Sequence, residues 1–240
     1  MIDKDTHSHH ISQQFNTELD LVRTHMLEMG GLVEKQVYDA VLALIEADEN
    51  RAEKVKKGDK KINAMEVSID EDCARILALR QPAASDLRLV IAISKSVIDL
   101  ERIGDEARKI AVQALQLIES GESPRGYTEI RHIGNHVAMM VRDALDSFAR
   151  VDVDMALAVA KEDKLVDEEY GTAVRSLITY MMEDPRAIGK MINVLWALRS
   201  LERIGDHARN IAEQVIYLVK GTNVRHVGIK EMTARVQDEK

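Results

Sequence analysis

Apolar residues recur every three or four positions along almost the whole chain, which is the spacing of one face of an α-helix. The clearest stretch lies between residues 93 and 114. Its apolar positions are Ile93, Val97, Leu100, Ile103, Ala107, Ile110 and Ala114. No run alternates apolar and polar residues as a half-buried strand does, and no Asn-Gly or Asp-Gly pair joins two such runs. The pattern predicts an all-α fold.

Breaks in this pattern divide the chain into six long predicted helices. They run from about Ile11 to Ala47, from Asp48 to Arg80, from residue 87 to Glu119, from Pro124 to Arg150, from Asp152 or Asp154 to Glu183, and from Pro185 to Gly221. Asp48, Ser123 and Asp184 are the expected N-caps of the second, fourth and sixth helices, because their short side chains accept hydrogen bonds from free backbone N–H groups.

The two halves of the chain resemble each other. The segment "LERIGDEARKIA" at 100–111 returns as "LERIGDHARNIA" at 201–212, with ten of twelve positions identical. A shift of 104 residues also aligns earlier positions, for example Asp48 with Asp152. A duplicated three-helix unit explains both matches, and each unit of about 100 residues is large enough for its own core. We therefore expect two tandem, pseudo-symmetric three-helix bundles.

The clearest linker between the two units is "SGESPRG" at 120–126. It places the first three-helix unit at 11–120 and the second at 124–221. The remaining ends, 1–10 and 222–240, are polar and are expected to be flexible.

Composition narrows the possible functions. A net charge of −8 argues against binding nucleic acid and permits a cation site. The single cysteine, Cys73, cannot form an internal disulfide, which suits the reducing cytosol. The longest apolar run, "LVIAI" at 89–93, is far shorter than the roughly 20 residues of a membrane helix. We expect a soluble, cytoplasmic protein that reaches a membrane only through partners. Its only tryptophan, Trp196, is expected to be buried.

Each copy of the repeated segment carries a glutamate and an aspartate four residues apart, on one helix face. The preceding helix of each half supplies a second pair of oxygen-bearing side chains at the same spacing. Like charges so placed repel unless something compensates, and converging oxygen ligands suit cations such as Mg²⁺, Mn²⁺, Ca²⁺ or iron. The candidate metal ligands are Asp59, Asn63, Glu101 and Asp105 in the first half, and Asp163, Asp167, Glu202 and Asp206 in the second.

Two other interpretations remain open. The same carboxylates can serve a metal-dependent enzyme or a metal store, although the chain has one Glu-x-x-His, at 129–132, where a di-iron carboxylate bundle uses two. The acidic pairs can also be exposed side chains of a purely structural repeat. The histidines give little direction, since His132 and His136 belong to a scattered set and residues 7–10 lie in the polar N-terminus.

The duplicated "ERIGD", set in two three-helix halves, resembles the PhoU family of phosphate-uptake regulators. The resemblance extends over nearly the whole chain and rests on an ordered set of segments. They are "RQPAASDLRLVIAISKSVIDLERIGDEA" (80–107), "FARVDVDMA" (148–156), "TYMMED" (179–184) and "VKGTNVRHVG" (219–228). A five-residue helical string alone is weak evidence, whereas the ordered set is specific.

The resemblance implies a cytoplasmic, all-α protein that is not an enzyme. Such a protein is a negative regulator of the phosphate-starvation response and a modulator of phosphate uptake. It is expected to couple the ATPase subunit of a phosphate ABC transporter to a phosphate-sensing histidine kinase, often as a homodimer.

Members of the family also carry Glu/Asp-x-x-x-Asp motifs that hold metal ions. Three of the four pairs in this chain match that motif, and the pair Asp59/Asn63 departs from it. The implied cofactors are divalent or trivalent ions, namely Fe, Zn, Mg or Mn. Because an amide carries no charge, we expect the first-half site to bind cations more weakly than the second-half site.

Overall fold

The structure is a computed structural model that describes residues 4–121 and 128–237, with side chains described from residue 13 onward. In these residues it contains seven α-helices, one 3-10 turn at Pro185–Ala187, and no strand. The helices are α1 (Lys4–Glu46), α2 (Glu49–Arg80), α3 (Ala84–Glu119), α4 (Thr128–Arg150), α5 (Val153–Glu183), α6 (Ile188–Lys220) and α7 (Ile229–Gln237). The prediction of an all-α fold is confirmed.

Aspartate caps explain where several helices begin. Asp48 and Asp152 each accept a hydrogen bond at 3.0 Å from the backbone N–H three residues later. Asp184 accepts one from the backbone N–H two residues later and so starts the 3-10 turn before α6. These contacts satisfy N–H groups that have no partner inside the helix. The predicted cap at 123–124 lies outside the described residues.

The helices pack as two joined three-helix bundles. Helices α1, α2 and α3 pack against one another, as do α4, α5 and α6. The bundles meet where α3 packs along α6 and where α1 crosses α4. The α1–α4 approach is close, because a Cβ added at Gly134 would stand 2.7 Å from Val41 Cγ1. The buried apolar side chains form one continuous core. The division at 11–120 and 124–221 stays a prediction, since this core runs across it.

Polar side chains also join the two halves, along the contact between α3 and α6. Arg203 Nη1 lies 3.0 Å from Oε1 of the buried Glu106. Asp99 Oδ1 lies 2.8 Å from His207 Nδ1 and accepts a hydrogen bond from Asn210 Nδ2 at 3.0 Å. A buried carboxylate is stable only when it is paired, so these contacts fix how α3 sits against α6.

Residues 4–10 and 229–237 are helical, within the segments at 1–10 and 222–240 that are expected to be flexible. Helix α1 begins at Lys4 rather than near Ile11, because residues 4–11 contain no glycine or proline to stop it. At the other end, residues 229–237 form α7, which packs against α5. Its Met232 and Val236 lie one turn apart and are both buried, so this part of the tail is anchored.

Some large apolar side chains lie outside the core. The prediction that Trp196 is buried is wrong, because its side chain is 58% exposed on α6. Ile98 on α3 and Ile192 on α6 are also exposed. Ile192 and Trp196 lie one turn apart on the same face of α6. None of the helices in residues 4–121 and 128–237 is long and apolar enough to cross a membrane.

Candidate functional site

The first acidic cluster consists of Asp59 and Asn63 on α2 with Glu101 and Asp105 on α3. A glycine in α3 allows the two helices to approach closely here. A Cβ added at Gly104 would lie 3.2 Å from Ile62 Cδ1, which is tighter than an ordinary contact. The sequence therefore places a residue without a side chain beside the cluster, and the two oxygen pairs face each other across the contact.

Two carboxyl groups of the first acidic cluster, those of Asp59 and Glu101, have a raised pKa. Burial raises the pKa of Asp59, the nearby Arg108 opposes this rise, and the charge of Asp105 adds to it. Burial also raises the pKa of Glu101, and the charges of Asp105, Glu66 and Asp59 act in the same direction. Desolvation and neighbouring negative charges both penalise a carboxylate, and here they outweigh the opposing charges of Arg108 at Asp59 and of Arg102 at Glu101.

Two oxygens of the first acidic cluster have no hydrogen-bond partner. Among the described residues, nothing donates to the buried Asp59 Oδ1 or to the buried Asn63 Oδ1. One cation is nevertheless close, because Arg108 Nε lies 3.3 Å from Asp59 Oδ2 and Arg108 Nη2 lies 3.3 Å from Asp105 Oδ1. The arginine thus bridges α2 and α3 and leaves one carboxylate oxygen and the amide oxygen free.

The second acidic cluster consists of Asp163 and Asp167 on α5 with Glu202 and Asp206 on α6. Asp163 and Glu202 are buried, and the two other aspartates are exposed. Burial and the charge of Asp206 raise the pKa of Glu202. Desolvation of its carboxyl, together with the charges of Asp163 and Asp167, raises the pKa of Asp206 although the residue keeps an exposed surface. These mutual effects show that the α5 and α6 pairs lie close together.

Two arginines partly neutralise the second acidic cluster. Arg209 Nη1 lies 3.0 Å from Asp163 Oδ2, and Arg209 Nε lies 3.1 Å from the buried Glu213. Arg199 Nη1 lies 2.5 Å from Glu202 Oε1. The other oxygen of that carboxylate, Glu202 Oε2, is buried and has no partner in the described parts of the chain. As in the first cluster, arginine leaves a buried carboxylate oxygen unpaired.

The structure brings the eight predicted ligands together as two groups of four. It does not place three His, Cys, Asp or Glu side chains in a ready-made metal geometry within the described ranges. Because arginines hold one oxygen of Asp59 and of Asp163, a cation would need those side chains to turn. The unpaired buried oxygens and raised pKa values fit a cation, since each disfavours the charged metal-free cluster. Metal binding therefore stays a prediction.

Glu66 and Arg199 are among the cluster members that the sequence interpretation missed. Glu66 acts on Glu101 by its charge, and it follows Asn63 by three residues on the same face of α2. That spacing could have identified it. Arg199 was also missed, because its counterpart in the first half is Ile98, so the repeat gave no signal.

Known proteins resemble this chain along nearly its whole length. Two stretches of the chain, residues 26–114 and 130–215, match the PhoU domain. A relative from Pseudomonas aeruginosa is 67% identical over 240 residues, covering 100% of this chain and 99% of its own length. A relative from Escherichia coli is 50% identical over 223 residues, covering 93% of this chain and 92% of its own. The first is named a phosphate-specific transport system accessory protein PhoU homolog, and the second a phosphate-specific transport system accessory protein PhoU.

Solved structures agree with the helical architecture. The crystal structure of PhoU from Pseudomonas aeruginosa matches with a TM-score of 0.84 at 70% identity, covering 87% of this chain and 100% of that one. The phosphate transport system regulatory protein PhoU from Streptococcus pneumoniae matches with a TM-score of 0.81 at 34% identity, over 88% of this chain and 99% of that one. This chain belongs to the PhoU family, as shown by the two domain matches, by 67% identity to a relative along the full length of the chain, and by the shared fold.

Proposed function

We propose that this protein is an accessory regulator of phosphate transport and not an enzyme. The observation that carries the proposal is 67% identity, along the full length of both chains, to a relative named as a phosphate-specific transport system accessory protein. The proposed role is negative regulation of the phosphate-starvation response and modulation of phosphate uptake.

The proposed mode of action is that of a cytoplasmic adaptor. It would join the ATPase subunit of a phosphate ABC transporter to a phosphate-sensing histidine kinase, and would act as a homodimer without binding nucleic acid. The exposed Ile98 and Ile192 support contact with another protein, because they lie on the same helix faces as the acidic clusters. Apolar side chains beside charged ones are common at protein interfaces.

The regulatory role is tested by deleting the gene. In phosphate-rich medium, deletion is expected to leave the phosphate-starvation genes expressed, and a plasmid copy of the wild-type chain is expected to silence them again. A phosphate-responsive reporter measures both effects. If the deletion strain keeps these genes silent in phosphate-rich medium, the proposed function is wrong.

We also propose that each acidic cluster holds metal ions of the Fe, Zn, Mg or Mn type. Bound metal would supply positive charge between the helices. In the first cluster Asp59, Asn63, Glu101 and Asp105 would supply oxygens, and in the second Asp163, Asp167, Glu202 and Asp206 would do so. The unpaired buried oxygens of Asp59, Asn63 and Glu202 support this assignment, because an unpaired buried acceptor costs free energy that a cation can offset.

Metal binding is tested by thermal unfolding of the purified chain with and without Mn²⁺. A ligand at about 100 times its dissociation constant stabilises the folded state by about 2.7 kcal/mol, so the unfolding temperature of the wild type should rise. Asp163→Asn with Glu202→Gln should reduce this rise. Glu168→Gln is the matched control, because it removes an exposed carboxylate on α5 outside the cluster. Equal responses from both variants would refute the assignment.

A further inference from the structure

A separate group of ligand-type side chains lies between α4 and α5. His132 and His136 come from α4, and Glu162 and Glu169 come from α5. At about 100° per residue, the two glutamates point roughly 120° around α5 from Asp163 and Asp167. The group is therefore distinct from the second acidic cluster.

One glutamate oxygen faces both histidines. Glu169 Oε1 lies 3.2 Å from His132 Nε2 and 3.2 Å from His136 Nδ1. In a tetrahedral Zn²⁺ site with metal–ligand bonds of about 2.0–2.1 Å, neighbouring ligand atoms are about 3.3 Å apart. The two histidines are four residues apart on one helix face, a spacing that allows them to bind one metal ion together. We propose that His132, His136 and Glu169 bind a divalent transition-metal ion such as Zn²⁺.

Glu162 orients the central histidine for this role. Its Oε2 lies 2.9 Å from His136 Nε2. A carboxylate at that nitrogen accepts the Nε2–H proton and leaves the lone pair of Nδ1 for the metal, as in many carboxylate–histidine–zinc sites. Glu162 is thus a positioning residue, and the three ligands are His132 Nε2, His136 Nδ1 and a Glu169 oxygen.

The side chain of His136 is mostly buried, and both its ring nitrogens face carboxylates. The described residues hold no pre-converged set of three ligands, so the exposed His132 must turn toward the ion.

The group between α4 and α5 has no counterpart in the first half of the chain, so the duplication does not explain it. With the 104-residue shift that relates the halves, the four positions correspond to Glu28, Leu32, Gly58 and Met65. The first bundle therefore packs α1 against α2 without any such cluster. A cavity of about 340 Å³ adjoins the group and is lined in part by Glu129, His132 and Glu169. It leaves room for water as a fourth ligand.

The test is titration of the purified full chain with Co²⁺, whose visible absorption reports nitrogen and oxygen ligands. The N-terminal histidines can also bind Co²⁺, so all samples carry His7→Gln, His9→Gln and His10→Gln. This background is expected to bind one Co²⁺ through histidine nitrogens with saturable visible absorption, in addition to any Co²⁺ on the oxygen ligands of the acidic clusters. His132→Gln with His136→Gln should lose that absorption or weaken binding at least tenfold.

Two further variants sharpen the test. Glu162→Gln should keep the absorption band and weaken binding about 10–100-fold, as expected for a residue that orients a ligand. His25→Gln is the matched control, because His25 also faces a carboxylate, that of Asp72, but lies between α1 and α2. It should bind as the background does.

Several results would overturn the proposal. They are the absence of saturable absorption in the background protein, unchanged binding in His132→Gln/His136→Gln, and an equal loss in His25→Gln. A loss caused by Asp163→Asn/Asp167→Asn alone would assign the ion to the second acidic cluster instead. Circular dichroism shows whether each variant is folded. If the double variant does not fold, the single variant His132→Gln replaces it in the titration. His132 is exposed, so its replacement leaves the core intact.

Discussion

Single residues distinguish the two acidic clusters, which otherwise share one design. Asn63 stands where the second cluster has Asp167, so the first cluster lacks one carboxylate. Glu66 adds a negative charge near the first cluster, and Arg199 adds a positive charge to the second. Both additions reduce the difference that Asn63 creates. We still expect the second cluster to bind divalent cations more tightly, since its four side chains can all be ionised.

The substitution Asn63→Asp tests this account. It adds a carboxylate whose oxygen replaces the unpaired Asn63 Oδ1, and the affinity of calcium and magnesium sites rises with the number of charged ligands. Mn²⁺ affinity at the first cluster should rise on the order of tenfold, measured by calorimetry in a Glu202→Gln background that weakens the second cluster. Asn50→Asp, at an exposed position on the same helix, should change nothing. An unchanged affinity in Asn63→Asp would contradict the prediction.

The carboxyl of Glu202 gives a prediction for pH. Because burial and Asp206 raise its pKa in the folded protein, the folded state takes up this proton more readily than the unfolded chain does. The stabilisation is fully present below the pKa of glutamate in the unfolded chain, about 4.3, and is lost as pH rises through the folded pKa. Glu202→Gln should therefore be more stable than wild type at pH 7, by at least a few tenths of a kcal/mol.

Urea unfolding at pH 7 and pH 4 measures this difference. The advantage of Glu202→Gln should disappear at the lower pH, where the wild-type carboxyl is protonated. Arg199 loses its partner in the variant, but its side chain is about half exposed and stays hydrated. A variant less stable than wild type at pH 7 would show that the Arg199 pair outweighs the repulsion from Asp206.

The eight candidate ligands could be found from the sequence because helical periodicity fixes which residues share a face. The partners of those ligands could not. An arginine side chain is long enough to reach several neighbours, so Arg209 contacts both Asp163 and Glu213 while its counterpart Arg108 bridges Asp59 and Asp105. Likewise, His136 and Glu169 are 33 residues apart, and only the packing of α4 on α5 joins them.

At the scale of the element, caps and breaks predicted the long helices well. Asp48 and Asp152 are visible in the sequence because an N-cap is a local feature. Helix α7 was missed for a physical reason. A nine-residue segment is too short to be stable alone, so its helix depends on burying Met232 and Val236 against the rest of the fold. Propensity along the chain does not contain that information.

The substitution Met232→Ala tests whether α7 contributes to the fold. Met232 is fully buried, and replacing a buried methionine by alanine costs about 2–5 kcal/mol. Chemical unfolding should show a loss in this range, with earlier proteolysis near the C-terminus. Lys230→Ala, at an exposed position on the same helix, should leave stability within about 0.5 kcal/mol of wild type. Equal stability of both variants would mean that α7 is not held in solution.

At the scale of the whole molecule, the two repeats form one packed body. Helical periodicity predicted two bundles but not their arrangement, because α3 and α6 each bury residues toward their own bundle and toward each other. The Glu106–Arg203 pair reinforces this contact. Since one core spans both halves, we expect them to unfold together.

Labelling of Cys73 measures the unfolding of the first bundle, because Cys73 lies on α2. It is buried on α2, and burial together with Asp70 and Asp72 raises the pKa of its thiol to about 12, so it should resist alkylation in the native protein. With increasing urea, labelling of Cys73 should begin at the concentration where the far-ultraviolet circular dichroism of the whole chain is lost. Labelling at clearly lower urea would show that the first bundle opens independently.

The exposed Trp196 gives the two halves of the molecule different fluorescence properties. It is the only tryptophan, it lies in the second half, and it shares a face of α6 with Arg199 and Asp206. Its fluorescence should therefore respond to whatever covers that face, with a blue shift when an apolar surface excludes water. The first acidic cluster has no tryptophan near it, because the first half of the chain contains none. Tryptophan fluorescence of the natural sequence therefore reports on contacts of the second half of this pseudo-symmetric protein and not on those of the first half.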